Sequence, residues 1–232
     1  MKMLNKIALF DIDDTIYNGG LIYRLMEAEV RDGLLDKKYI DEVYMYKAMG
    51  EKGEIEYEDQ ARKVVIAWTA GFKDKEYEKV AQHALEFISA DLFHFYSFSK
   101  PLLSLLEKTH DRIIISNEPQ FVGEAILNIL NFNESNCTTF ETKDGILTGN
   151  VSRFNSTQVD KKKSVRDILA HYEYNGSFAF GDSVGDIGML EEVENPICIN
   201  SSKKLIDIAS KKGWVIAEQN NILGITLDIL KR

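Results

Sequence analysis

The chain of 232 residues is poor in cysteine, proline and histidine, with two, three and four respectively. Cys137 and Cys198 lie far apart and fit no CxxC or metal-finger spacing, which argues against a disulfide scaffold and against a zinc module. They read as two small apolar residues in strands, and a reducing cytoplasm is the default setting. His83, His94, His110 and His171 make no HxxxH or HExxH pattern and read as surface or structural residues. No apolar run approaches the roughly 20 residues of a membrane helix, and Met1 to Phe10 is too short and too mixed for a signal peptide. Positive charge is also scarce. Against 28 Lys and Arg stand 37 Asp and Glu, a net charge of −9. A nucleic-acid or anionic-membrane binder would show a basic face, so neither partner is expected. An anionic substrate would need positive charge supplied locally, and a divalent cation would supply it.

What is present is an ordinary globular composition, 44% hydrophobic and 28% charged, without repeats or low-complexity segments. Lys6 to Phe10 is a short apolar run that ends in DIDDT, a buried strand with acids at its C-terminal end. From about Asn18 to Phe95 the apolar residues recur at helical spacing, as in Leu21, Ile22, Leu25, Met26 and Val30, and later Tyr57 to Trp68. Strands then return. Ser99-Lys100-Pro101 predicts a helix start with serine as its cap. Ile113 to Ile115 predicts a buried strand, and Glu118-Pro119 opens another helix. Thr138 to Thr142 and Ile146 to Val151 flank Asp144-Gly145, a hairpin signature. Ser177 to Phe180, Ile197 to Ile199 and Trp214 to Ile216 are further strands. Alternation of strand and helix predicts an α/β fold, a Rossmann-like parallel sheet between two helical layers. The helical block is then an insertion: residues 1–17 and 98–232 form the core and residues 18–97 a small helical cap, with hinges near Asn18–Gly20 and Phe95–Ser99.

Two loops carry the chemistry. Asp11 and Asp13 stand two apart at a strand end, where open α/β sheets bind ligands. Gly181-Asp182-Ser183-Val184-Gly185-Asp186 follows a second apolar strand, with glycines that allow a tight turn. Paired carboxylates repel, and a hard cation with oxygen ligands relieves the repulsion. Ser116 ends the Ile113–Ile115 strand before a helix N-terminus, where a hydroxyl and backbone N–H groups can hold a phosphate oxygen. The run Lys161-Lys162-Lys163 can reach the same place as a point charge.

These pieces, in this order, resemble the haloacid dehalogenase-like superfamily, and the likeness spans nearly the whole chain. DIDDT stands for its first motif, IIISN for the second, DKKKSVRDIL for the lysine motif and GDSVGDIGML for the fourth. The helical block after the first motif is similar to the phosphoserine phosphatase-like branch. The resemblance implies a phosphatase acting on a small phosphorylated metabolite. Asp11 would be the nucleophile that becomes an aspartyl phosphate, and Asp13 the general acid and base. Mg²⁺ would be held by Asp11, the backbone carbonyl of Asp13 and Asp182, with Asp186 beside it or acting through water. Ser116, Asn117 and a motif lysine would bind the phosphoryl oxygens. Lys162 is favoured because Val165 and Leu169 then fall at the family's apolar offsets, with Lys161 and Lys163 left open. Dehalogenases lack the aspartate two residues after the nucleophile, and Asp13 is present, so phosphoryl transfer is preferred to carbon–halogen cleavage. Two departures argue against phosphoserine itself. Gly20 stands where the branch has a glutamate for the substrate amine, and Val64 where it has an arginine for the carboxylate, while Arg62 would point to a different face. The alternatives are a phosphotransferase or mutase using the same aspartyl phosphate, and a binding protein that has kept the fold and lost catalysis.

Overall fold

A computed structural model describes residues 5–232. Among the described residues seven strands form one sheet in the order β4-β3-β2-β1-β5-β6-β7. These are β1 (Lys6–Phe10), β2 (His110–Pro119), β3 (Glu134–Lys143), β4 (Ile146–Arg153), β5 (Glu173–Gly181), β6 (Asn195–Ile199) and β7 (Val215–Ala217). Every neighbouring pair is parallel except β3 with β4. That pair is the hairpin read from Asp144-Gly145, and both turn residues have positive φ, 52° and 78°. A primed turn requires this, and aspartate followed by glycine tolerates it.

The strands alternate as a doubly covered sheet must. Ala8 and Phe10 face one apolar layer, Ile7 and Leu9 the other. On the second side lie α7 (Gln158–Leu169), α8 (Ile187–Leu190) and α9 (Lys203–Lys212); on the first lie α5 (Ser99–Leu106), α6 (Gln120–Leu130) and α10 (Ile222–Leu230). The expected three-layer α/β architecture is what the chain adopts. Cys137 and Cys198 are buried and free in β3 and β6.

Between β1 and β2 the chain runs through α1 (Leu21–Arg31), α2 (Lys37–Glu51), α3 (Tyr57–Gly71) and α4 (Tyr77–Ala90). This is the stretch expected as residues 18–97; of the flanking segment 1–17, residues 1–4 lie outside the described residues. The inserted helices share an apolar cluster with the sheet layer. Trp68 of α3 meets Phe121 of α6 and Phe140 of β3 edge-on at 5.9 and 6.0 Å. The hairpin joins in through backbone bonds, Asp74 N–H to Leu147 O at 2.9 Å and Tyr77 N–H to Gly145 O at 2.9 Å.

Two local expectations differ. Ser99 does not cap α5. It lies inside the helix, buried, and its hydroxyl donates to Ile16 O at 2.7 Å, tying the two chain crossings together. Glu118 and Pro119 still belong to β2, and α6 begins at Gln120. Among the described residues no helix is long and apolar enough to cross a membrane.

Candidate active site

The parallel register sets Phe10 beside Ile114 and Phe180, so the segments after β1, β2 and β5 leave the sheet at one edge. Asp11 N–H still donates to Phe180 O at 3.1 Å. The next residues turn sharply, with the N–H groups of Thr15, Ile16 and Tyr17 all converging on Ile12 O. The turn needs a left-handed residue, and Asp14 supplies it with φ 51°. Asn200 secures it by donating from its side chain to Asp14 O at 3.0 Å.

After β5 the backbone closes on its own acid. A Cβ at Gly181 would lie 2.6 Å from Cβ of Asp186, so only glycine permits that approach. Asp186 is buried, and its Oδ2 accepts from the N–H groups of Asp182 and Ser183 at 3.1 and 3.0 Å. Its Oδ1 accepts from Lys161 Nζ at 2.6 Å, and the same ammonium donates to Asp11 Oδ1 at 2.7 Å.

Lys161 occupies the place expected of Lys162. It is 4% exposed, whereas Lys162 pairs outside with Glu191 and Glu192 at 2.8 and 3.3 Å. The reason is helical phase. The buried stripe of α7 is Lys161, Ser164, Val165 and Ile168, spaced by three, four and seven, so Ile168 and not Leu169 marks the inward face. The helix start is fixed by a reciprocal cap between Thr157 and Asp160. Gly188 of α8 lets the two helices touch, since a Cβ there would lie 1.9 Å from Gln158 O.

Ser116, expected to end its strand, is buried inside β2, which runs on to Pro119; its Oγ accepts from Glu118 N–H at 3.3 Å. Asn117 Oδ1 accepts from the Thr138 hydroxyl at 3.4 Å. Asp13 is half-buried with Oδ1 on Leu21 N–H at 2.8 Å, at the first turn of α1. Beside it stands Glu118, which the sequence reading took only as a helix start. It is 3% exposed, and its Oε1 accepts from Ile22 N–H at 3.1 Å. Its sequence signal was an acid that closely follows the apolar run Ile113–Ile115.

The acids crowd one another. Burial pushes Asp11 up to about 7; Lys161 opposes this and Asp186 adds to it. Burial likewise raises Asp13 to about 6 against the Leu21 N–H bond. Asp182 is held well above the carboxylate range by burial and then by Asp186, and Glu118 by burial and then by Asp13. Burial alone would lower Lys161, but Asp11 and Asp186 outweigh it and hold its ammonium above the ordinary value. One cation among so many acids leaves an excess of negative charge. Carboxylate oxygens of Asp11, Asp182 and Asp186 lie within 4.8 Å of one another. An all-oxygen donor set of that span suits a hard divalent ion. The Asp13 carboxylate is turned to Leu21 and stands outside this group.

These residues open on a cavity of about 460 Å³, walled on the sheet side by Asp11, Ser116 and Lys161 and on the helical side by Tyr23, Lys47 and Tyr57. Ser156, buried and with Oγ unpartnered among the described residues, also lines it. Arg62 does point elsewhere, onto Asp160 at 3.0 Å and over the Phe154 ring. Val64 is buried in the core cluster.

A family model described as haloacid dehalogenase-like hydrolase matches residues 8–191. A histidinol-phosphatase of Neisseria meningitidis serogroup C (strain 8013) is 23% identical over 230 residues, covering 92% of this chain and 98% of that one. Among solved structures, a Bordetella pertussis Tohama I protein of unknown function superposes with TM-score 0.75 at 20% identity, covering 94% of this chain and all of that one. A substrate-bound phosphoserine phosphatase complex superposes with TM-score 0.67 at 19% identity, covering 95% and 98%. At such identities the structural likeness is one of fold.

Proposed function

Because this chain belongs to the haloacid dehalogenase-like hydrolases, we propose that it is a magnesium-dependent phosphatase of small phosphomonoesters working through an aspartyl phosphate on Asp11. The observation that carries this reading is the buried ammonium of Lys161 on Asp11 and Asp186, with a carboxylate oxygen of Asp182 within 4.8 Å of theirs. Phosphatases among its relatives support the same class.

Magnesium bound by Asp11 and Asp182 would offset the repulsion between a carboxylate nucleophile and a phosphate dianion. Both oxygens of Asp186 already accept hydrogen bonds, so it orients Lys161 and the Asp182 loop. Asp11 attacks phosphorus, and the bond to the alcohol oxygen breaks. Asp13 protonates that departing oxygen. In the second step Asp13 takes a proton from water, the water oxygen attacks phosphorus, and Asp11 leaves as the free carboxylate. A carboxyl raised to about 6 suits both duties near neutrality. Leu21 N–H orients it, and Glu118 holds the adjoining Ile22 N–H. Ser116, Asn117 and Lys161 bind the phosphoryl oxygens. Residues 18–97 act as the cap over a core of residues 1–17 and 98–232, and shield the site from bulk water.

The substrate is a small phosphorylated metabolite other than phosphoserine. Gly20 offers no acid for an amine, and Val64 is buried away from the cavity. Inorganic phosphate release from a panel of small esters tests the reading. Turnover should require Mg²⁺, vanish with chelator and fall sharply in Asp11→Asn. Near-normal turnover by Asp11→Asn would contradict it, as would phosphoserine turnover equal to that of the best ester.

A further inference from the structure

Among the described residues two cations line the cavity, and they are differently committed. Lys161 is held between Asp11 and Asp186. Lys47, on α2, is half-buried on the opposite wall, and among the described residues no carboxylate lies within ion-pair distance of it. Its Nζ rests 4.3 Å from the centroid of the Tyr23 ring, a contact that orients an ammonium without neutralising it.

Tyr23 fixes where that charge stands. Its ring lies against the backbone at Gly20, where a Cβ would come within 2.6 Å of Cδ2. Tyr44 stacks on it at 5.7 Å. Asp13, Tyr23 and Lys47 line the same cavity as Asp11. A ligand whose phosphorus meets Asp11 would direct its alcohol part into that cavity, which Tyr23 and Lys47 border. Asp14, also on the wall, has Oδ1 turned onto Gly19 N–H at 2.9 Å.

We propose that Lys47 is a specificity-determining residue that selects phosphomonoesters whose alcohol part carries a second negative charge, a carboxylate or another phosphate. This rests on the phosphatase reading above and adds the substrate class to it. Gly20 belongs to the same device, because a side chain there would displace the ring on which the ammonium rests.

The test is a matched set of two- and three-carbon phosphate esters that end in methyl, carboxylate, phosphate or ammonium, assayed with Mg²⁺ at low ionic strength. For the unaltered chain kcat/KM should favour the anionic esters over the methyl ester by at least about tenfold, chiefly through KM, with the ammonium ester last. The carboxylate and phosphate arms tell which anion fits. Lys47→Met should bring the anionic-to-methyl ratio to within about twofold, Lys47→Arg should keep the preference, and Lys47→Glu should move it towards the ammonium ester. If Lys47→Met folds poorly, the Arg and Glu variants make the same comparison. A flat or ammonium-favouring profile in the unaltered chain would overturn the proposal. So would a Lys47→Met that slows every ester equally, since Lys47 would then be holding the transferring phosphoryl group. Failure to release phosphate from any ester would strike the phosphatase reading itself.

Discussion

Exchanging Lys161 and Lys162 in turn for methionine separates two neighbours that the sequence ranked in the opposite order, favouring Lys162. Lys161 makes two contacts of 2.7 and 2.6 Å to carboxylates from a position 4% exposed. Removing it takes away a preorganised cation aimed at the reacting group, a loss of about 10²–10³ in turnover for one such donor. It also leaves Asp11 and Asp186 without their partner, which costs about 3–5 kcal/mol for a buried pair. Lys162 has a side chain 34% exposed and pairs with glutamates at the surface. Its loss should barely move the melting temperature and leave turnover within about threefold. Phosphate release at saturating Mg²⁺, with a melting curve for each variant, measures both effects. Added Mg²⁺ should raise the melting temperature of Lys161→Met more than that of the unaltered chain, because the freed carboxylates gain most from a cation. The reasoning fails if Lys162→Met is the inactive variant. It also fails if a folded Lys161→Met keeps turnover within about tenfold of the unaltered chain.

Glu29 is fully buried in α1, with Oε2 on the Trp68 indole N–H at 2.8 Å and Oε1 unpartnered among the described residues. Burial, against the opposing Trp68 bond, raises it from 4.5 to about 8. Between those values the folded chain holds a proton that the unfolded chain releases, so stability falls as pH rises through this window. From about pH 5 to about pH 8 the loss is at most about 3–4 kcal/mol, at about 1.4 kcal/mol per pH unit. Denaturant melts should show that slope in the unaltered chain and lose most of it in Glu29→Gln; an unchanged slope would count against a buried neutral Glu29. Gly188→Ala places a methyl against Gln158 O. It should part α8 from α7, lower the melting temperature and reduce turnover at least about tenfold, whereas Gly224→Ala, where a Cβ meets nothing within 4 Å, should do neither.

The fold was legible wherever a local pattern dominated. Short apolar runs in KIALF and Ile113–Ile115, aspartate beside glycine after β3 and β5, and the helical spacing of Leu21, Leu25 and Val30 predicted the strands, the hairpin and the helical insertion, since each feature is set by near neighbours in the chain. Lys161 was less legible. Three consecutive lysines are alike until the helix start is known, and that start depends on the Thr157–Asp160 cap. Glu118 was illegible for a different reason. Its neighbours there are Asp13 and the first turn of α1, about a hundred residues away, a juxtaposition created only when the insertion folds back over β2. Ser99 shows the same limit, since a serine before proline reads as a cap whether or not Ile16 O is waiting for its hydroxyl.

The claim on which everything turns is that phosphorus becomes bonded to Asp11. Mixing the enzyme with a good ester, quenching in acid within a turnover, reducing with borohydride and mapping the product by mass spectrometry tests it directly. The account predicts that residue 11 alone is reduced to homoserine, and only when ester and Mg²⁺ were both present. Phosphate released at full rate with residue 11 unreduced at every quench time would contradict it.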